Sequence, residues 1–313
     1  MHSSILMKII FVCVLFNYSE QQKVVTPPPS HWDYGKEGPD AWHHLYDTCE
    51  GESQSPINIR TPHVRYDHHL TPLSLNGYNE NMSSFVWNFT HNGHSIVAYP
   101  SPMVLLSLSG GGLSGTYYLL QFHLHWGMNP YQGSEHTIND QKFPLEAHFV
   151  HRSPMTGALA VLGIIFDLQR DDNPYLNDLL SIANRTVNTS TTIEKQVDLS
   201  RLFPMSPSPR FYRYNGSLTT PPCTEGVSWT ILKRKVPISA YQMQAFDKNS
   251  VAFNFRSPQK LHSRRVVANF DPEPIEGDEE EVGADHHSKA SLNHHLSLST
   301  LVSLVLVLPS IFK

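Results

Sequence analysis

Two histidines stand two positions apart inside an apolar, aromatic stretch, QFHLHWG at 121–127. Successive side chains of a β-strand alternate faces, so Gln121, His123 and His125 share one side. Imidazoles at i and i+2 can converge on one divalent ion, and a catalytic zinc site usually takes three protein ligands plus an open position for water. The segment LEAHFVH at 145–151 offers the third ligand. His148 and His151 lie on opposite faces of a strand, so only one of them can join the pair. Glu146 shares the His148 face and would place a carboxylate where a ligand's second nitrogen needs an acceptor. That favours His148 and leaves His151 as the alternative. Taken alone, His123 and His125 also read as core histidines satisfied by their neighbours. The chain contains no H-E-x-x-H, so the helical two-histidine zinc arrangement is absent.

Strands must position this chemistry. Apolar runs of period two or of continuous character recur between Gly, Pro, Asn and Ser: 95–100, 103–110, 116–126, 145–151, 158–168 and 227–236. Two segments, 174–185 and 238–249, have the spacing of amphipathic helices. The pattern predicts a mostly β fold with peripheral helices.

Both ends read as processing signals. Lys8 precedes IIFVCVLF and then polar NYSEQQ, the layout of a secretory signal peptide over 1–20. A buried N-terminal helix is the competing reading. The C-terminus ends in a long apolar tail preceded by a polar spacer and by the small residues Gly283 and Ala284. These are the ingredients of a GPI-attachment signal, with Gly283 as the attachment residue, Ser288 as the second choice and 284–313 removed. A tail-anchored helix and an uncleaved tail are the alternatives. Before the tail, 271–283 is acidic and proline-containing, a solvated linker.

What remains, about 260 residues, suits one domain with a sizeable core. Lys plus Arg total 23 against 28 Asp plus Glu, a net charge of −5, and no basic patch stands out, which argues against a nucleic-acid partner. Of three cysteines, Cys13 falls in the signal peptide, so Cys49 and Cys223 read as one disulfide. Sequons at Asn81, Asn88, Asn184, Asn188 and Asn215 predict exposed, glycosylated loops. Every one of these signals places the chain outside the cell.

The ordered set QSPINI (54–59), QFHLHWG, GSEHT (133–137), EAHFVH, LAVLG (159–163) and SLTTPPCTEGVSW (217–229) resembles the α-class carbonic anhydrases, from about His31 to Phe270. The signal segment, the Cys49/Cys223 pair and the tail resemble the GPI-anchored extracellular branch, although the second N-terminal disulfide frequent there has no cysteines here. The resemblance implies a single domain over 30–270 with a central, largely antiparallel twisted sheet and short peripheral helices. It implies zinc held by His123, His125 and His148, with the Gln121 side chain, the Asn254 carbonyl and Glu146 behind them. It makes Thr219 the gate residue, donating to Glu135 and orienting the zinc-bound hydroxide that attacks CO2, with bicarbonate received at Thr219 and Thr220.

The resemblance further implies an apolar CO2 site lined by Val150, Val161, Leu218, Val227 and Trp229. It makes His94, in HNGHSI (91–96), the proton relay, with Tyr34 and Asn92 ordering the connecting waters; a near-neutral pKa suits that relay. Val97 stands where several members place Asn. The implied reaction is reversible hydration of carbon dioxide at the outer cell surface, with membrane attachment through a lipid anchor and a bicarbonate transporter as a candidate partner. A catalytically silent binding or adhesion module and a zinc esterase are the competing functions; the first normally goes with lost ligands, and all three histidines are present.

Overall fold

Alternating apolar positions make this chain a sheet protein, and its computed structural model describes residues 32–78, 85–102, 104–183, 185, 192–203, 209–247, 249 and 251–272. All belong to one compact unit. The signal segment, most of the acidic linker, the apolar tail with Gly283, and the sequons Asn81, Asn184 and Asn188 lie outside the described residues.

The strands in chain order are β1 Asn58–Ile59, β2 Arg65–Tyr66, β3 Leu73–Asn76, β4 Val86–His91, β5 Ile96–Pro100, β6 Ser107–Gly110, β7 Tyr117–Trp126 and β8 Thr137–Ile138. They continue with β9 Leu145–Arg152, β10 Leu159–Gln169, β11 Thr192–Gln196, β12 Phe211–Ser217, β13 Glu225–Leu232, β14 Val236–Ser239 and β15 Val267–Ala268. Thirteen of them form one sheet, running β11-β4-β5-β7-β9-β10-β13-β12-β15-β2, with β14 beside β10 and a β3-β6 branch joined to β7. Pairing is antiparallel except at β1-β8, β10-β13, β10-β14 and β15-β2, so the sheet is mixed and largely antiparallel.

Period two sorts the three central strands cleanly. Phe122, Leu124 and Trp126 of β7, Leu145, Ala147 and Phe149 of β9, and Ala160, Leu162, Ile164 and Phe166 of β10 enter one apolar cluster. The alternate residues of β9 and β10, Val150, Val161 and Ile165, join a second cluster with Tyr212, Tyr214 and Trp229. That second face carries the site. In register, His123 lies opposite His148, and His125 opposite Glu146, after an irregularity between Leu119 and Gln121. Gly163 stands opposite His148 on the other side of β9. A Cβ there would meet the end of the Ile231 side chain at 2.5 Å and the Glu146 carboxylate at 3.4 Å, so a larger residue would have to push Ile231 aside.

Several element boundaries differ from the sequence expectation. The run 227–236 is two strands rather than one, because three consecutive cations, Lys233, Arg234 and Lys235, leave the sheet between β13 and β14. The helical pattern at 174–185 is a 3-10 turn followed by a helix at Asn177–Ala183, opened by the Asn173 side chain accepting the Tyr175 N–H. Ile238 and Ser239 finish β14, and the expected helix begins at Ala240, where Ser239 and Gln242 form a reciprocal cap. At 103–110 the strand starts only at Ser107. The sequons Asn88 and Asn215 sit in β4 and β12 rather than in loops; Asn215 is exposed and Asn88 half-buried. Among the described residues, no helix is long and apolar enough to cross a membrane.

Candidate metal centre

β7 and β9 bring His123, His125 and His148 together. One ring nitrogen of each lies within 4.8 Å of the others. The remaining nitrogen of each ring is committed to an acceptor. His123 Nδ1 donates to Gln121 Oε1 at 2.9 Å, His125 Nδ1 to the Asn254 carbonyl at 2.6 Å, and His148 Nε2 to Glu146 Oε1 at 2.7 Å. His151 belongs to the opposite face; its Nε2 meets the Tyr78 hydroxyl at 2.6 Å, inside the first apolar cluster.

This geometry fits a cation. His125 Nε2 is fully buried with no hydrogen-bond partner, which is costly for a polar atom unless something else occupies it. Burial keeps the rings neutral and therefore ligand-competent. It pushes His125 down to about 4, and it lowers His123 and His148 together with the neighbouring imidazoles. Fixed second partners set which nitrogen faces inward.

Behind the triad runs a buried polar chain. Burial alone would raise the Glu146 pKa, but His136 and His148 outweigh it and hold the carboxyl well below its usual range. Glu146 Oε1 also accepts from His136 Nδ1 at 2.7 Å, and Oε2 accepts the backbone N–H groups of Glu135 and His136. His136 Nε2 then accepts from the Tyr214 hydroxyl at 2.6 Å, which is 2.9 Å from Ser55 Oγ. Ser55 and Ser217 exchange two bonds, and Ser217 O accepts from the Trp229 indole. None of His136, Tyr214, Ser55 or Ser217 was identified from the sequence.

Glu135 is completely buried, its Oε2 at 3.5 Å from His125 Nε2 and 3.7 Å from His148 Nδ1. The Arg256 N–H donates to Oε1 at 2.8 Å. Burial raises the Glu135 pKa, while His148 and the Thr219 hydroxyl oppose the rise. Thr219 is buried and Thr220 half-buried at the head of the turn that ends at Cys223, whose N–H donates to Thr220 O. Cys223 is bonded to Cys49, tying this turn to the N-terminal segment.

Val150, Val161, Val227 and Trp229 form one apolar wall with Leu218 packed against it, and the Trp229 ring lies 4.7 Å from His148. Val97 is buried opposite His123.

Of the residues expected to relay the proton, His94 is half-buried and stacked on Trp32, centroids 3.6 Å apart and planes 12° apart. Burial, then His91, pulls its pKa below the ordinary histidine value, with Asp33 opposing. Asn92 Oδ1 is used within the turn, accepting from the His94 and Ser95 N–H groups. Tyr34 is buried against Trp32, Trp42 and Phe253. Asn254 links the two parts of the site: its carbonyl receives His125, and its side chain donates to the His94 carbonyl at 3.1 Å.

A model of the eukaryotic-type carbonic anhydrase family matches residues 37–270, well over half of the chain. The chain belongs to this family. It is 35% identical over 266 residues to carbonic anhydrase 6 of Mus musculus, covering 77% of this chain and 82% of that protein. It is also 35% identical over 262 residues to carbonic anhydrase 7 of Mus musculus and of Homo sapiens, covering 76% of this chain and 97% of each relative. Carbonic anhydrases of this family are zinc-dependent, and the triad supplies the all-nitrogen donor set that zinc takes.

Proposed function

We propose that this chain is a zinc-dependent carbonic anhydrase converting carbon dioxide and water reversibly into bicarbonate and a proton at the outer cell surface. The observation that carries the reading is the convergence of three neutral imidazoles, each with its second nitrogen held by an acceptor, one inward nitrogen being buried and unpaired. Zinc held by His123, His125 and His148 supplies the charge that acidifies a water near neutral pH, chemistry for which carbonic anhydrases are the standard example.

The chain's own groups do the rest. Gln121, Asn254 and Glu146 keep the three rings in one tautomer and orientation. The Glu135 carboxylate accepts from Thr219, so the hydroxyl's lone pairs are left to orient the attacking oxygen. The wall of Val150, Val161, Leu218, Val227 and Trp229 offers an apolar seat to carbon dioxide, and the Thr219–Thr220 segment receives bicarbonate. His94 accepts the exported proton and passes it to buffer, beside Tyr34 and Asn92. Stopped-flow hydration of carbon dioxide tests the reading. Activity lost on chelation and restored by Zn2+ supports it; a folded, zinc-loaded protein without activity overturns it.

The surface location is supported by the apolar segments near the two ends, the sequons and the Cys49–Cys223 disulfide. A lipid anchor at Gly283, after loss of 284–313, follows. Phosphatidylinositol-specific phospholipase C should release the protein from cells, and retention would favour a tail-anchored helix.

A further inference from the structure

His91 plays no part in the reaction described above, yet it is 1% exposed and uses both ring nitrogens. The Gly93 N–H donates to Nδ1 at 3.0 Å, so Nε2 carries the proton and donates to Asn249 Oδ1 at 2.7 Å. The two contacts need an acceptor and a donor on opposite sides of one flat side chain, which a neutral imidazole supplies. One contact grips the turn just before His94. The other lies on Asn249, which follows the 3-10 turn Gln244–Phe246 and donates its own N–H to Phe246 O. Gly93 itself has φ 92°, a conformation that glycine adopts freely and L side chains rarely do, so the turn is built around this residue. Its far side is held by Asn92 Oδ1 and by the Asn254 side chain on the His94 carbonyl.

We infer that His91 is a positioning residue: by clamping Gly93 to Asn249 it sets the His94 ring over Trp32 and at one fixed place relative to the triad. The inference rests on the reading of His94 as the group that exports the proton. Because His91 touches neither the triad nor the apolar wall through any hydrogen bond, it should affect proton export alone.

The test uses zinc-loaded protein and the variants His91→Ala, His91→Asn and His91→Gln. An asparagine oxygen falls where Nδ1 stood and keeps the Gly93 contact; a glutamine amide reaches Asn249 instead. In weak buffer, His91→Ala should lower kcat by about tenfold, the size expected when a reacting group is misplaced by a fraction of its working distance. Its kcat/KM for carbon dioxide should be unchanged, and added imidazole should restore kcat. His91→Asn and His91→Gln, each holding one end of the clamp only, should both fall between wild type and alanine. Proton NMR provides a readout independent of activity: the Trp32 ring-current shift on the His94 ring should shrink in His91→Asn and His91→Gln and shrink most in His91→Ala. If alanine prevents folding, the Asn and Gln variants carry the comparison. A wild-type kcat and His94 shift in the most perturbing folded variant would overturn the inference, as would a parallel fall of kcat and kcat/KM. A wild-type protein that does not hydrate carbon dioxide would instead overturn the function, leaving the NMR comparison to decide the clamp.

Discussion

Glu146 Oε1 is 2.7 Å from His148 Nε2 and equally 2.7 Å from His136 Nδ1, so one carboxylate oxygen orients a ring of the triad and a buried histidine behind it. Glu146→Gln keeps the shape but turns one acceptor into a donor and removes the charge that both rings face. The variant should bind zinc about 10–100-fold more weakly. Competition with a calibrated chelator reads this directly, and unchanged affinity would deny Glu146 its orienting role.

In the proposed function Thr219 acts through Glu135. Thr219→Ala removes the hydroxyl that the proposed function pairs with the carboxylate, and kcat/KM should fall by about 10²-fold. Zinc content should be unaltered, since the three rings and their acceptors are untouched. Thr219→Ser should recover much of the loss, because it restores the hydroxyl.

Much of this site could be read from strand periodicity: Gln121, His123 and His125 alternate with core residues, and Glu146 shares the His148 face. The choice between His148 and His151 also turns on that alternation, since His151 falls with Phe149 on the other face. The rest was hidden by chain separation. Ser55, His136 and Tyr214 meet only because β12 and β13 fold back beside β9 and β10, and no local pattern marks them. The Arg256 main-chain N–H that donates to the Glu135 carboxylate lies 121 positions away and uses nothing of the arginine side chain. His91 looks like one more surface histidine until the turn and Asn249 close around it. The break at Lys233–Lys235 was masked by apolar residues on both sides that pair with the same strand, β10.

Cys49 and Cys223 join the N-terminal segment to the turn that follows Thr219. Replacing both with serine should destabilise the protein by roughly 2–5 kcal/mol, because the unfolded chain regains the freedom of a very long loop. Thermal or urea unfolding measures it, and an unchanged midpoint would show that hydrogen bonds across this junction suffice.

His151 is fully buried, and burial pushes its pKa down to about 4, opposed by nearby backbone carbonyls. The unfolded chain takes up a proton near pH 6.5, while the folded one resists until about pH 4. Stability from this group is therefore complete above pH 6.5 and is lost as pH falls toward 4, on the order of 3 kcal/mol across the window. Unfolding of wild type and His151→Gln at several pH values isolates it. The variant should show a shallower loss on acidification; identical slopes would contradict the assignment.

The central claim is that the three imidazoles on β7 and β9 hold one zinc ion. X-ray absorption on the purified protein tests it most directly. The expected result is one zinc per chain with three nitrogen ligands and one oxygen ligand at about 2.0–2.1 Å, the nitrogen shell being lost in His148→Ala. A folded protein without zinc, or a metal shell that survives His148→Ala intact, would contradict it.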